Sequence, residues 1–417
     1  MCRTIALILP LVLSVMSARG QVAPESCSHL GAEQLSVAPN PHFVDALASP
    51  PYTAKYHTVA HDILKLESEC MTVTPDMYRL LDSLIDEAHA DAAMKPGIQP
   101  FEFFSIVDRI LVAHNFVFPY NGLVTALSTG LRPATFSPDD ARQFLEHGPN
   151  FRRRQAIETN QSHIFYVVDC DLSSILYVAI AQTLNLPVYL NEIPGHNFVR
   201  WSAGDLHFNW DSNYGDSFSN AMYTEESHIP QKLSGTAYLV DMRPEWVMGY
   251  WHDLRSKLWT AAAERKENTR FQDGLYENVL ADLKESESTY TISGDEKNEL
   301  AWFLATCPLA KYRNSAKAIP LAQAAVNEWT NPNWMDTLAA AYAEAHQWDR
   351  AAAEENSAKT QSKVQLQSDF ESDESWPDFD LYVRLYGNDP HTTYAEYKQT
   401  QSQPVKSDFK TARSANR

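Results

Sequence analysis

The segment from residue 163 to residue 211 constrains the fold most, because its apolar pattern switches between strand and helix over short distances. Residues 165–168 form a β-rich run, and residues 172–184 have the apolar spacing that predicts a helix. Helix followed by antiparallel strands is the order of an α+β domain. Four strands are predicted after the helix, at residues 187–190, 197–201, 206–210 and 236–240. A hairpin-like turn at residues 202–205 joins the second of them to the third.

Helical spacing dominates on both sides of this segment. Before it, apolar residues recur at helical spacing between residues 54 and 90, with a helix start signal at Thr74-Pro75-Asp76. Beyond Arg243 the chain reads as helical again, and 417 residues are too many for one ordinary core. The organisation we predict is a helical region at 21–100, an α+β domain at 101–250, a helical domain at 251–400 and a disordered tail at 401–417.

The first 20 residues have the pattern of a cleavable signal peptide. Arg3 gives a short basic start, residues 5–16 are largely apolar, and Ala18-Arg19-Gly20 supplies small residues before the cut. The apolar run is too short for a permanent bilayer anchor, and no other segment approaches the length of a transmembrane helix. We therefore expect a periplasmic or secreted chain without a transmembrane anchor. The alternative is an uncleaved amphipathic first helix.

Charge and missing motifs exclude several classes of function. The formal net charge of -19 repels phosphate backbones, which argues against a nucleic-acid partner. No phosphate-binding loop, dinucleotide glycine motif or serine elbow occurs, so no organic cofactor is expected. His57 and His61, four residues apart on a predicted helix, could share a metal ion, but no third ligand follows them. Solvent exposure of both histidines, and no metal, is the expectation.

The mature chain would keep four cysteines, namely Cys27, Cys70, Cys170 and Cys307. Cys27 and Cys70 either pair in an oxidising compartment or stay free, because connectivity cannot be derived from spacing. Cys307 ends a predicted repeat helix and is expected to pack in a core. Cys170 directly precedes the predicted helix 172–184, where unpaired N–H groups and the helix dipole favour a thiolate.

Two residues after Cys170 complete a candidate nucleophilic site. His196 stands at the opening of one predicted strand, in Pro194-Gly195-His196, and Asp211 ends the next strand. In an antiparallel hairpin, the residue that starts one strand lies beside the residue that ends the next. The pattern therefore predicts an imidazole beside an orienting carboxylate, with Cys170 facing the imidazole if the helix packs on the sheet.

Together these motifs resemble the transglutaminase-like superfamily, and within it the bacterial branch that carries tetratricopeptide repeats after the core. The resemblance covers about residues 100–250, with repeat-like sequence at 295–360. It implies a papain-like fold, in which a helix bearing the cysteine packs on an antiparallel sheet. By this resemblance Cys170 is the nucleophile, His196 the general base and Asp211 its orienting partner. The residues that carry the resemblance are Cys170-Asp171-Leu172-Ser173-Ser174, Leu186-Pro187, Pro194-Gly195-His196 and Trp210-Asp211.

The sequence departs from the family pattern around the cysteine. The gap from Cys170 to His196 is shorter than in the better known transglutaminases, and the usual Gly or Trp near the nucleophile is missing. Asp169 and Asp171 flank the cysteine, and two inward-pointing carboxylates would disfavour a thiolate. A second oxyanion donor is not identifiable; the candidates are Asn121 and Gln161.

The expected function is an exported thiol-dependent amidase, peptidase or acyltransferase that works through a thioester, without metal or cofactor. Its substrate is a protein or a cell-wall peptide, and a toxin acting on a competitor's envelope would use the same site. The alternative is a non-catalytic periplasmic scaffold that recruits a protein partner through its tetratricopeptide-like helices. In that case Cys170 would be a small buried residue without reactivity.

Overall fold

The computed structural model describes residues 52–95, 97–117, 126–135, 164–368, 378–388 and 390–402. Predictions on the signal peptide, Cys27, Asn121, Gln161 and residues 403–417 lie outside these ranges. The described chain divides into two units, the first ending at Glu296 and the second beginning at Lys297. The divisions predicted near residues 100 and 250 stay predictions.

The first unit has mixed α+β structure, which confirms the predicted class. Its second helix begins at Pro75, as predicted, because proline fixes a helical φ and has no N–H to leave unpaired. The elements are α1 (Val59–Glu67), α2 (Pro75–Ala93), α3 (Pro100–Ala113), β1 (Phe116–Val117), α4 (Leu127–Gly130), β2 (Pro133–Thr135), β3 (Ile164–Val167), α5 (Cys170–Thr183), β4 (Val188–Ile193), β5 (His196–Ala203), β6 (Leu206–Trp210), α6 (Asn220–Glu226), α7 (Pro244–Ala263) and α8 (Gln272–Thr289).

Two three-stranded sheets are present in the described part of this unit. In the first, β3 lies between a parallel β1 and an antiparallel β2. The second is an antiparallel meander of β4, β5 and β6, in which Ile193 pairs with His196 and Ala203 with Leu206. Its hairpins turn at Gly195 and Gly204, whose φ angles of 70° and 60° suit glycine.

The strand predicted at residues 236–240 is wrong. This stretch turns instead, and Tyr238 makes only an isolated bridge to Ser234. Leu239 has a φ of 59°, which breaks an extended backbone, although its N–H still donates to the Glu192 carbonyl on β4. The segment thus covers the edge of the meander without adding a strand to it.

Helix α5 is the centre of the first unit's core. Every side chain from Leu172 to Ala181 is buried, which identifies a helix surrounded by other elements rather than one on a surface. It contacts α1, α2 and α3 as well as strands β4 and β5. Full burial of one Leu or Ile contributes about 1.5–3 kcal/mol, so this helix fixes the positions of its neighbours. Cys170, its first residue, therefore has a well-determined place.

The remaining helices pack on their neighbours along the chain through small residues. In the second unit α10 packs on α11, α11 on α12, and α12 on α13. Ala322 and Ala339 are fully buried at these crossings, beside the buried Trp334. Their identity as tetratricopeptide repeats stays a prediction. The helices are α9 (Asp295–Thr306), α10 (Ser315–Glu328), α11 (Pro332–Glu344), α12 (Trp348–Ser368), α13 (Phe379–Gly387) and α14 (Tyr394–Ser402).

Within the described ranges, no helix combines the length and the apolar character that crossing a bilayer requires.

Candidate functional site

Cys170 is the first residue of α5, and the residue before it caps that helix. Asp169 has an extended backbone, and its side chain accepts a hydrogen bond of 3.1 Å from the Leu172 N–H. The Cys170 side chain is buried, with 8% of the residue exposed. The sulfur thus lies at the positive end of the dipole of a central helix.

His196 and Asp211 form a buried pair at the end of the meander. His196 Nε2 lies 2.6 Å from Asp211 Oδ2, with 5% of the histidine and 0% of the aspartate exposed. His196 opens β5 and Asp211 directly follows β6, so the antiparallel register brings the two together. A carboxylate only accepts hydrogen bonds, so Nε2 carries the proton that is shared with Asp211.

Further donors hold the Asp211 carboxylate. Its Oδ1 accepts from the backbone N–H groups of Asn213 (2.9 Å) and Tyr214 (3.3 Å). Its Oδ2 accepts from the Tyr223 hydroxyl at 3.2 Å in addition to His196. Hydrogen bonds to an ionised group are stronger than neutral ones, so this carboxylate is fixed in orientation and fixes the imidazole in turn.

The other imidazole nitrogen, His196 Nδ1, is a buried polar atom that makes no hydrogen bond to any described residue, Cys170 included. A buried polar atom without a partner costs about 1–3 kcal/mol, so a group that donates to Nδ1 would bind there favourably. Because Nε2 holds the proton, Nδ1 has the lone pair and is the atom able to accept a proton.

Two side-chain contacts tie the first turn of α5 to the strand ends that bear this pair. Asn197, next to His196, donates from Nδ2 to Asp171 Oδ1, next to Cys170. Ser212, next to Asp211, lies with its Oγ 2.6 Å from Ser173 Oγ. The residues flanking all three predicted site residues are thus in contact. The structure brings Cys170 to the same end of the meander as His196 and Asp211.

The acidic neighbours of Cys170 behave differently from each other. Asp169 is turned into its capping bond, whereas Asp171 Oδ1 lies 3.7 Å from the Cys170 sulfur. The same Asp171 oxygen accepts a 3.1 Å hydrogen bond from the Tyr250 hydroxyl on α7. The sequence predicted that carboxylates pointing at Cys170 would disfavour a thiolate. Of the two flanking aspartates, only Asp171 lies in such a position.

A buried arginine supports the hairpin behind the site. Arg200 on β5 donates from Nε to Asn209 Oδ1 at 2.7 Å and from a terminal nitrogen to the Leu239 carbonyl at 2.8 Å. Its other terminal nitrogen donates to Asn220 Oδ1 at 2.8 Å, at the start of α6. Burial lowers the pKa of Arg200. This guanidinium fixes α6, the helix that carries Tyr223 to Asp211.

A group of carboxyls and tyrosines lies beyond Asp171. Burial raises the pKa of Glu192, on β4, to about 8, and the charge of Asp295 adds to the effect. The Tyr290 hydroxyl donates to Glu192, and the Tyr238 hydroxyl donates to Asp295 at 2.7 Å. The described residues include no group of three or more ligands able to hold a metal ion. Neither Tyr250 nor this group was found from the sequence.

The histidines considered for a metal lie in different environments. His57 is exposed, as expected. It precedes α1, which begins at Val59, so the prediction that His57 and His61 lie on one helix is wrong. His61 is buried, against expectation, with Nδ1 2.8 Å from Thr58 Oγ1 and Nε2 3.2 Å from Asp82 Oδ1. Its partner lies on the next helix, which is why the local spacing gave no sign of burial.

The remaining described cysteines, Cys70 and Cys307, form no disulfide with each other or with Cys170. Cys307 is buried, as expected, and burial raises its pKa to about 11. Cys70 is a half-buried free thiol, and the other member of its predicted pair, Cys27, lies outside the described ranges.

Known proteins give no further guide. No family model, curated protein or solved structure matches this chain. The resemblance to the transglutaminase-like superfamily stays a prediction from the motifs.

Proposed function

We propose that this chain is an exported thiol-dependent acyl-transfer enzyme with a papain-like, transglutaminase-like core. Cys170 is its nucleophile, His196 its proton carrier and Asp211 the group that orients the imidazole. One observation carries the proposal. The buried His196 holds Nε2 against a carboxylate, while its Nδ1 has no hydrogen-bond partner in the described part of the chain, at the strand end that contacts the cysteine helix. A nucleophile, a base and an orienting group are the parts that acyl transfer needs.

The chemistry follows from the lone pair on Nδ1. The Cys170 thiol passes its proton to His196 Nδ1, and the thiolate adds to the carbonyl carbon of an amide. The positive end of α5 stabilises the thiolate and the oxyanion that forms. The C–N bond breaks as Nδ1–H returns its proton to the departing amine, leaving a thioester. Water or a second amine then gives a proton to Nδ1 and attacks the thioester. The C–S bond breaks, and Nδ1–H returns the proton to the Cys170 sulfur.

The environment of the site supports the papain-like architecture as part of this proposal. The helix that begins at Cys170 packs against β4 and β5 of an antiparallel meander. Such packing is what the resemblance implies for the core. Export is supported by the signal-peptide pattern of the first 20 residues. The helical second unit would recruit a protein substrate or partner.

A non-catalytic scaffold is the second candidate, and it also has a specific observation in its favour. Cys170 is only 8% exposed, and its sulfur lies 3.7 Å from a carboxylate oxygen that would repel a thiolate. In a scaffold, the His196–Asp211 pair would be a structural link between β5 and β6. Thiol reactivity separates the two candidates.

The test is the pH dependence of iodoacetamide labelling at Cys170, read by peptide mass spectrometry in the wild type and in His196→Ala. An enzyme requires labelling well below the free-thiol pKa of about 8.5, lost in the variant. His61→Ala is the matched control, because it removes the buried histidine of the His61–Asp82 pair. Slow labelling of Cys170, or labelling indifferent to His196, would support the scaffold. Cys307 reports non-specific alkylation in the same digest.

A further inference from the structure

One carboxylate oxygen beside the proposed nucleophile collects several donors. Asp171 Oδ1 accepts from the Tyr250 hydroxyl at 3.1 Å and from Asn197 Nδ2, and the Cys170 sulfur lies 3.7 Å from it. Asn197 Nδ2 is also 2.9 Å from the Tyr250 oxygen, so the three side chains form a closed triangle. The triangle connects α5, β5 and α7 at the proposed nucleophile.

The thiol is directed toward this triangle. In hydrogen-bond geometry the Cys170 sulfur is a donor to Asp171, while His196 Nδ1 has no partner among the residues described. Thiolate formation would place a negative charge next to the Asp171 carboxylate. A like charge within about 4–6 Å opposes ionisation, and each donor to that carboxylate withdraws part of its charge.

The position of Tyr250 is set by close packing of α7. The preceding residue, Gly249, has no room for a side chain, because a Cβ there would lie 2.9 Å from the Tyr290 backbone nitrogen. The Tyr250 ring packs edge-on against Trp251 and Tyr290, with centroids 5.9 and 6.2 Å away. Burial first, and then the charge of Asp171, raise the pKa of Tyr250 far above its usual value. Its hydroxyl therefore keeps its proton and remains a donor.

We propose that Tyr250 is a positioning residue that acts through Asp171: by donating to Oδ1 it offsets the carboxylate's charge and so sets the pH at which Cys170 ionises. Asn197 is the second donor in the same role. The inference rests on the proposed function, since it concerns the nucleophile of that site. It adds Tyr250 and Asn197, which neither motif nor spacing indicated, as the donors that act on Asp171.

Other charged or titratable groups lie on the elements around this triangle and must stay constant in any test. Their charges enter the titration of Cys170 alongside that of Asp171. They are Asp169 at the start of α5, Glu192 on β4, His196 on β5, Asp211 after β6, Asp253 on α7 and Tyr290 after α8. Single substitutions at positions 171 and 250 leave all of them in place.

The experiment measures the alkylation rate of Cys170 from pH 5 to pH 10 in the full chain. Asp171→Asn removes the charge and should lower the midpoint by about one pH unit or more, which is about tenfold in rate below the midpoint. Tyr250→Phe leaves the charge less compensated and should raise the midpoint by a smaller amount. In the double variant the Tyr250→Phe shift should vanish, because the charge on which it acts is gone.

Controls separate this inference from general damage and from the proposed function. Tyr386→Phe, at a buried tyrosine of the second unit, should leave the profile unchanged. An unchanged midpoint in Asp171→Asn, or a Tyr250→Phe shift that persists beside it, overturns the inference. Failure of the proposed function reads out elsewhere, as a profile indifferent to His196→Ala. A merely structural Tyr250 would lower the melting temperature without moving the midpoint.

Discussion

Ser212 Oγ and Ser173 Oγ lie 2.6 Å apart, and both serines are fully buried. Ser212 directly follows Asp211, and Ser173 is in the first turn of the helix that begins with Cys170. The contact therefore joins the backbone around the orienting carboxylate to the backbone around the proposed nucleophile. It holds Asp211 and Cys170 in place relative to each other, while neither serine takes part in the proposed acyl transfer.

Ser212→Ala should destabilise the chain by about 1–2 kcal/mol, because it removes a partner of a buried hydroxyl. In a double-mutant cycle with Ser173→Ala, the double variant should lose less stability than the sum of the two single losses. The difference, the coupling energy, should be about 0.5–1.5 kcal/mol. Urea unfolding followed by circular dichroism measures both. Ser174→Ala is the control, since its Oγ lies 3.5 Å from Ser212 and should couple more weakly. Equal coupling at positions 173 and 174 would contradict the assignment.

Asp211→Asn should strongly reduce the reactivity of Cys170 at low pH. The amide would present N–H groups to the imidazole, so Nε2 would have to accept and the proton would move to Nδ1. An Nδ1 that carries a proton cannot take one from the thiol, so labelling at pH 6 should fall at least tenfold, by about as much as we expect for His196→Ala.

Tyr223→Phe is the matched control for that change, because it removes a donor from the same oxygen at 3.2 Å. It leaves the carboxylate charge and the imidazole tautomer intact, so the loss of labelling should be much smaller. If the two variants lost labelling equally, Asp211 would act through its packing alone.

The local parts of the fold and site could be predicted from sequence. Strand β6 matches the predicted residues 206–210, because alternating apolar residues bounded by a glycine turn leave few choices. The meeting of His196 with Asp211 follows from the register of β5 with β6, which is set by the two-residue turn at residues 204–205. These features depend on short-range geometry, which a sequence contains.

Features that depend on tertiary packing could not be predicted. Tyr250 reaches Asp171 across 79 positions in the chain, and Tyr223 reaches Asp211 from a separate short helix. A single tyrosine on a helix carries no spacing signal for such a contact. Leu239 adopts a positive φ, and the apolar residues around it, from which the strand at 236–240 was predicted, give no sign of this backbone conformation. The predicted strand there failed for this reason.

The second unit should lose stability as pH rises. Asp336 on α11 and Glu355 on α12 are both buried, and burial raises the pKa of Asp336 to about 7 and that of Glu355 to about 11. Folded pKa values above the unfolded ones mean that the folded form binds more protons. Their contribution is therefore complete below about pH 4 and is lost as pH rises through the folded values.

Thermal unfolding of the full chain at pH 5 and at pH 8 measures this effect. The transition of the helical unit should come at least about 5 °C lower at pH 8, and Glu355→Gln should remove most of the difference. Glu354→Gln is the control, because that neighbouring carboxyl is less enclosed, although burial raises its pKa as well. A pH difference that survives Glu355→Gln would assign it to other groups.

Gly249→Ala should destabilise the first unit, whereas Gly274→Ala on the adjacent helix should not. A Cβ at position 249 would lie 2.9 Å from the Tyr290 backbone nitrogen and 3.0 Å from its Cβ, and neither can swing away. Overpacking of this kind costs about 1–3 kcal/mol. At Gly274, on α8, nothing lies within 4 Å of the new Cβ, so the better helix propensity of alanine should add about 0.5–1 kcal/mol.

The two glycine variants also probe the link to the nucleophile. Because Gly249 precedes Tyr250, the shift that accommodates the new methyl moves the tyrosine hydroxyl away from Asp171. Gly249→Ala should therefore raise the midpoint of Cys170 alkylation in the same direction as Tyr250→Phe, while Gly274→Ala leaves it unchanged. Urea unfolding and the alkylation profile, measured on the same samples, separate lost stability from lost positioning. A destabilised Gly249→Ala with a wild-type midpoint would show that the position of Tyr250 does not control the thiol.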